Sequence, residues 1–154
     1  MDKIKKHPIP FSFDYYDDFL GFVVSQSGYR LGKGLGDAIK KAGYKITPRE
    51  FAILNRLHQH KQLNQSQLAQ MTFKDRPATT RMLDKLEQIG YIQRLANAGD
   101  RRAFHISLTK AGRKARSTIV PLAVNMIESS CEGIPRKDLL TTLKTLQKIN
   151  SHLS

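Results

Sequence analysis

Tryptophan is absent from these 154 residues, cysteine occurs once, and aromatic residues make up only 8%. The single Cys131 excludes an internal disulfide and any multi-cysteine zinc site. Glu128 and Glu132 set negative rather than positive charge near it in sequence, so Cys131 reads as a small buried residue near a helix end rather than a redox sensor. No apolar run approaches the roughly 18 residues that span a bilayer. The first residues also lack the basic, apolar, small-residue order of a secretory signal. A soluble cytoplasmic protein with no membrane partner is the expectation. The five histidines, at 7, 58, 60, 105 and 152, fall at no familiar ligand or triad spacing. His58 and His60 would stand about 200° apart on a helix, so no metal site and no cofactor are expected. No glycine-rich loop follows a strand and ends in Gly-Lys-Ser/Thr. Enzymatic readings find no catalytic residues to rest on.

Acidic residues are scarce too. Thirteen Asp and Glu stand against 26 Lys and Arg, a formal net charge of +13. Such an excess attracts a polyanion, meaning nucleic acid or an anionic membrane surface. Its placement favours the first. Between Lys74 and Arg116 there are eleven basic and four acidic residues, so this segment of 43 residues holds more than half the excess. A basic amphipathic segment at 110–127 is the membrane alternative, but Pro121 interrupts it and a capped start precedes it.

The apolar share of 40% suits a core for one compact domain with helical extensions. Residues 1–11 hold two prolines and three lysines and read as an arm. A helical pattern then runs from near Ser12 or Asp14 to about Ala42. Gly28, Gly32 and Gly36 stack along one side of it, which predicts close approach of a neighbouring helix in preference to a bend beside a ligand cavity. Thr47-Pro48-Arg49-Glu50 is a capping box with proline at the first helical position. Asn64 and Gln67 repeat the box before a short apolar face of Leu68, Ala69 and Met71.

A second amphipathic helix is expected from Asp75, its N-cap, to Gly90. Successive residues placed about 100° apart put Met82, Leu83, Leu86 and Ile89 on one face, with Thr79 on that side. Arg76, Pro77, Thr80, Arg81, Asp84 and Gln88 occupy the other, with Lys85 at the edge. Tyr91–Arg94 suits a strand, 96–100 a turn, and Phe104, Ile106 and Leu108 alternate on a return strand. Thr109 caps a further helix that Pro121 should kink. A last helix carries Leu139, Leu140, Leu143, Leu146, Ile149 and Leu153, a stripe that needs a partner in this chain or a second copy.

Helix, turn, amphipathic helix and two-stranded ribbon with a basic tip is the winged helix-turn-helix order, in which the second helix enters the DNA major groove. The fold class expected is mainly α, with a small two- or three-stranded ribbon and flanking helices. Thr80 and Arg81 can reach base edges there, arginine being the usual bidentate partner of guanine. Arg76 and Lys85 suit phosphates, which position a protein without specifying sequence. Helix starts with free amides add Asn64-Gln65-Ser66 and Thr109-Lys110 as phosphate candidates. Arg94, Lys110 and Arg113 are either DNA contacts or solvated charges. Arg101 or Arg102, at the ribbon tip, could enter the minor groove.

Almost the whole chain resembles the MarR family of winged-helix regulators. The likeness rests on Leu68-Ala69, Thr80-Arg81, Leu83-Asp84-Lys85-Leu86-Glu87, Gly90-Tyr91-Ile92-Gln93-Arg94, Asp100-Arg101-Arg102, Leu108-Thr109 and Gly112, in that order. Thr79 departs from the family's usual apolar residue. The resemblance implies one domain over 1–154, with dimerisation helices at 12–44 and 112–154. Between them it places a DNA-binding head at 46–111, its helix-turn-helix at about 64–90 and its wing at about 91–109. It further implies a homodimeric regulator of double-stranded DNA, commonly a repressor released by a small-molecule effector. By the same resemblance Asp100 braces the wing with Arg102 and leaves Arg101 for DNA. An effector pocket where the dimerisation helices meet the head would place Tyr29, Arg30 and His58 near it. A binding module without sequence preference is the alternative function. A winged helix that serves only protein contacts fits the retained Arg81 and Arg101 least.

Overall fold

The computed structural model describes residues 17, 19–72, 75–97 and 100–153, without the side chains of 97 and 100–103. The expected arm at 1–11, the helix start near Ser12 or Asp14 and the reversal at Gly99 lie outside the described residues. Helix α1 runs Leu20–Lys41, entered from the extended residue Phe19. Next comes α2 (Pro48–His60), and both halves of its capping box are formed. The Thr47 hydroxyl accepts the Glu50 amide at 3.2 Å, and the Glu50 carboxylate accepts the Thr47 amide at 2.7 Å. Helix α3 (Gln65–Met71) repeats the device, with Asn64 and Gln67 exchanging two bonds of 2.8 Å. Seven residues hold little helix alone, and burial of Leu68 and Ala69 supplies what local propensity does not. Asp75 caps α4 (Arg76–Gln88) through the Ala78 amide, and Thr109 caps α5 (Lys110–Ser130) through the Gly112 amide.

Three antiparallel strands complete the head: β1 (Gln62–Leu63), β2 (Ile92–Asn97) and β3 (Asp100–Leu108), in the order β1-β3-β2. Ile92 lies opposite Leu108, Arg94 opposite Ile106, and Leu63 pairs with Ile106 from the other side. Two residues are too few for an alternation to show, which is why β1 has no signature in the sequence. Lys61, at φ 60°, turns the chain out of α2 into it. Ile106 and Leu108 point inward onto Leu54, Leu57, Leu68, Leu83 and Leu86, and all of these are buried. Each such side chain contributes roughly 1.5–3 kcal/mol relative to exposure. Ile39, near the end of α1, and Ile119, in α5, tie the long helices to this core.

Helix α6 (Arg136–His152) behaves differently, since none of its residues is buried. Leu140 and Leu143 stay about half exposed, at 46% and 52%, so nothing among the described residues buries its aliphatic stripe. The glycine stripe also departs from expectation. A β-carbon on Gly28 or Gly32 would meet open space, and one on Gly36 would only touch Pro48; the close neighbour is Gly34, beside Met126 of α5. Cys131 is the partly exposed C-cap of α5 and not a core residue. Pro121 sits inside a helix that runs unbroken from Lys110 to Ser130. Among the described residues no helix is long and apolar enough to cross a membrane.

Candidate nucleic-acid interface

The geometry of α4 starts from its two ends. Asp75 fixes the first turn. At the other end Gly90, at φ 78°, adopts the left-handed conformation that closes a helix cheaply only for glycine. Its amide reaches the Glu87 carbonyl at 2.9 Å and the Tyr91 amide reaches that of Leu86 at 2.9 Å, so the last carbonyls are satisfied. Ile89, expected on the core face, falls beyond the last helical residue and is exposed. The chain then locks onto α5. The Thr109 amide donates to the Tyr91 carbonyl at 3.1 Å and the Thr109 hydroxyl donates to the Gly90 carbonyl at 2.6 Å. Burial, and then the neighbouring Tyr44, raise the Tyr91 phenol pKa above its ordinary value.

Between these anchors the two adjacent threonines separate as expected. Thr79 is fully buried, its hydroxyl donating to the Asp75 carbonyl at 2.7 Å, so it satisfies its own polar group inside the core. Thr80 lies on the outer face beside exposed Arg76, Pro77 and Arg81. The guanidinium groups of Arg76 and Arg81 have no hydrogen bond or ion pair with a described residue. Exposed Ser66 stands at the start of α3. Sequence reasoning passed over Gln65 as a partner of α4, yet its side-chain amide donates to the Thr80 hydroxyl at 2.5 Å.

Two cations considered for DNA, Lys85 and Arg94, have internal partners in the free chain. Lys85 Nζ sits 2.8 Å from the Glu50 carboxylate, which is only 6% exposed and also accepts the Thr47 amide. Lys85 is therefore a strut between the start of α2 and α4 in the free chain, with its side chain 41% exposed. Arg94 donates to Asp84 at 2.6 Å and to Glu87, clamping β2 to α4. Burial alone would lower the Arg94 pKa, but the two carboxylates outweigh it and raise it. These pairings commit two cations to three carboxylates, leaving Arg76 and Arg81 as the α4 cations without a side-chain partner among the described residues. Asp100, Arg101 and Arg102 lie on β3 at the tip, and their side chains are outside the described residues.

Two expected outcomes follow from the clamps. Lys85→Ala should cost about 1–2 kcal/mol of stability, less than a fully buried pair because Lys85 remains partly exposed. A urea titration showing no change would leave the strut without energetic weight. Arg94→Ala exposes the Asp84 carboxylate on the outer face and should weaken binding to any duplex several-fold. Adding Asp84→Asn should restore much of it; a double variant as weak as the single one would rule out the uncovered charge as the cause.

His58 opens onto a groove of about 610 Å³ between the end of α2, the outer sheet face and the start of α5, together with Lys61, Lys110 and Arg113. Tyr29 and Arg30 are exposed on α1 and do not line it. At this groove, then, His58 is not joined by Tyr29 or Arg30.

The sequence pattern of the MarR family matches residues 46–104. The MarR pattern thus spans the winged head, from just before α2 into β3. It is 28% identical over 114 residues to the HTH-type transcriptional regulator SarZ of Staphylococcus haemolyticus, covering 70% of this chain and 78% of SarZ. A probable transcriptional regulator from Pseudomonas aeruginosa superposes with a TM-score of 0.77 at 27% identity, over 86% of this chain and 98% of that one. The transcriptional repressor CouR, bound to a 23-mer DNA duplex, shares the fold with a TM-score of 0.82 at 24% identity, over 90% and 97%. The chain is a DNA-binding transcriptional regulator and not an enzyme, with a winged head built as the sequence pattern implied.

Proposed function

We propose that this regulator works as a homodimeric, ligand-responsive repressor that reads a pseudo-palindromic duplex with one α4 helix per half-site. The observation that carries the reading is the outer face of α4, where Arg76 and Arg81 stand exposed beside Thr80 while the other α4 cation, Lys85, is paired. Arg81 is assigned to base edges, Arg76 and Ser66 to phosphates, and Arg101 to the minor groove, with Asp100 and Arg102 as its brace. Pro77 holds the first turn of α4 against the duplex. Dimerisation is assigned to α1, α5 and α6, whose Val24, Ile127, Leu140 and Leu143 remain exposed in the single chain. Two heads so joined would address successive major grooves, roughly 34 Å apart. The cationic groove beside His58 is the cavity assigned to an effector.

Sedimentation velocity together with competition binding tests the reading. The expected result is a dimer that prefers one selected duplex by about a thousandfold or more over random sequence. Its affinity should fall steeply with salt, as for about 6–10 neutralised phosphates. Equal affinity for all duplexes would favour a binding module without sequence preference, and a monomer in the complex would remove the palindrome.

A further inference from the structure

The Thr80 hydroxyl is already occupied in the free protein. A threonine hydroxyl offers one proton and two lone pairs. Here the proton goes to the Arg76 carbonyl, 3.0 Å away, one turn earlier in α4. One lone pair receives the Gln65 amide at 2.5 Å, from across the turn between α3 and α4. A base edge that needed a donor from Thr80 would have to break the first bond, and one that donated to the hydroxyl would compete with Gln65, which already takes one of its two lone pairs. The methyl group carries neither obligation. In the major groove the apolar feature that complements a side-chain methyl is the C5-methyl of thymine.

We propose that Thr80 reads DNA through its methyl group, against a thymine C5-methyl, and that Gln65 is a specificity-determining residue that enforces this choice by occupying the hydroxyl. The inference rests on the assignment of the outer α4 face to the major groove. Under it the two adjacent side chains divide the work by chemistry. Arg81 supplies charged donors for a guanine, and Thr80 supplies apolar contact for a thymine in the same half-site. Gln65 acts through Thr80 and is therefore a positioning residue, although it belongs to a different helix.

The test begins with selection of a duplex from a random-sequence pool by the full chain. Each thymine of the selected site is then replaced in turn by deoxyuridine, which removes only the C5-methyl. Wild type should lose affinity about fourfold for each half-site substituted at one position, the scale of one methyl group returned to water. Thr80→Val keeps the methyl and should keep that penalty; Thr80→Ser keeps the hydroxyl and should lose it. Gln65→Ala should shrink the penalty and broaden base preference at the same position, with thermal unfolding confirming that each variant is folded. A selected site whose affinity is indifferent to deoxyuridine at every thymine overturns the inference and leaves sequence-specific binding intact. So does the reverse pattern, with Ser retaining the penalty and Val losing it. Failure of the wild type to enrich any sequence overturns the functional reading itself, and the inference with it.

Discussion

Gly112→Ala should cost about 3 kcal/mol or more, the largest loss expected from any single methyl in this chain. A β-carbon there would lie 2.0 Å from the Tyr91 carbonyl oxygen, 2.9 Å from its carbon and 3.2 Å from its Cα. All three atoms are backbone, so no rotamer change relieves the overlap. Nor can Tyr91 simply move. Its amide ends α4 through the Leu86 carbonyl, and its own carbonyl holds the Thr109 amide. The first turn of α5 must then lift away, or α4 must tilt. Either response disturbs the reading helix, so the variant should also bind its site more weakly than its folded fraction explains. Urea unfolding provides the first measurement, with Ala111→Gly as a control expected to cost about 1 kcal/mol from helix propensity alone. A loss below about 1 kcal/mol for Gly112→Ala would mean that the junction yields more easily than its bonding suggests.

Arg81→Ala should leave stability nearly unchanged and remove most of the discrimination between the selected duplex and a scrambled one. A bidentate arginine–guanine contact supplies about 1–3 kcal/mol of discrimination, and a dimer would lose it twice. The ratio of specific to scrambled affinity should therefore fall by at least about 30-fold. Exposure makes the stability half of this outcome safe, because the Arg81 guanidinium has no hydrogen bond or ion pair with a described residue. The comparison variant is Arg76→Ala, which should weaken both duplexes alike and flatten the salt dependence. Equal proportional losses on both duplexes for Arg81→Ala would move Arg81 from base reading to phosphate contact.

Much of the head was legible because its signals are local. Thr47, Asn64, Asp75 and Thr109 each cap a helix that begins one residue later, and each bond closes within three residues. The 100° periodicity separated Thr79 from Thr80, and burial separates them the same way. Exposed apolar faces on the long helices were legible too, as stripes in need of a partner. Lys85 and Arg94 show where such reading stops. The sequence places Lys85 at a phosphate and leaves Arg94 between DNA contact and solvated charge, because a helical wheel and a charge count see only a cation near a reading face. Neither reveals that Glu50, 35 residues earlier, comes within 2.8 Å of Lys85. Nor do they show that Asp84 and Glu87 close on Arg94 from the previous helix.

By itself, then, the sequence determined where helices begin, which face each one buries and how much positive charge the head carries. Caps, periodicity and charge act over a turn or two of chain, or simply add. Only the tertiary structure decided which of those charges stay free, that Gln65 occupies the Thr80 hydroxyl, and that Gly112 has to be glycine. Each of these depends on two segments far apart in sequence meeting within hydrogen-bond or van der Waals distance. That meeting is set by how the Leu54, Leu83 and Ile106 core packs, not by any local pattern.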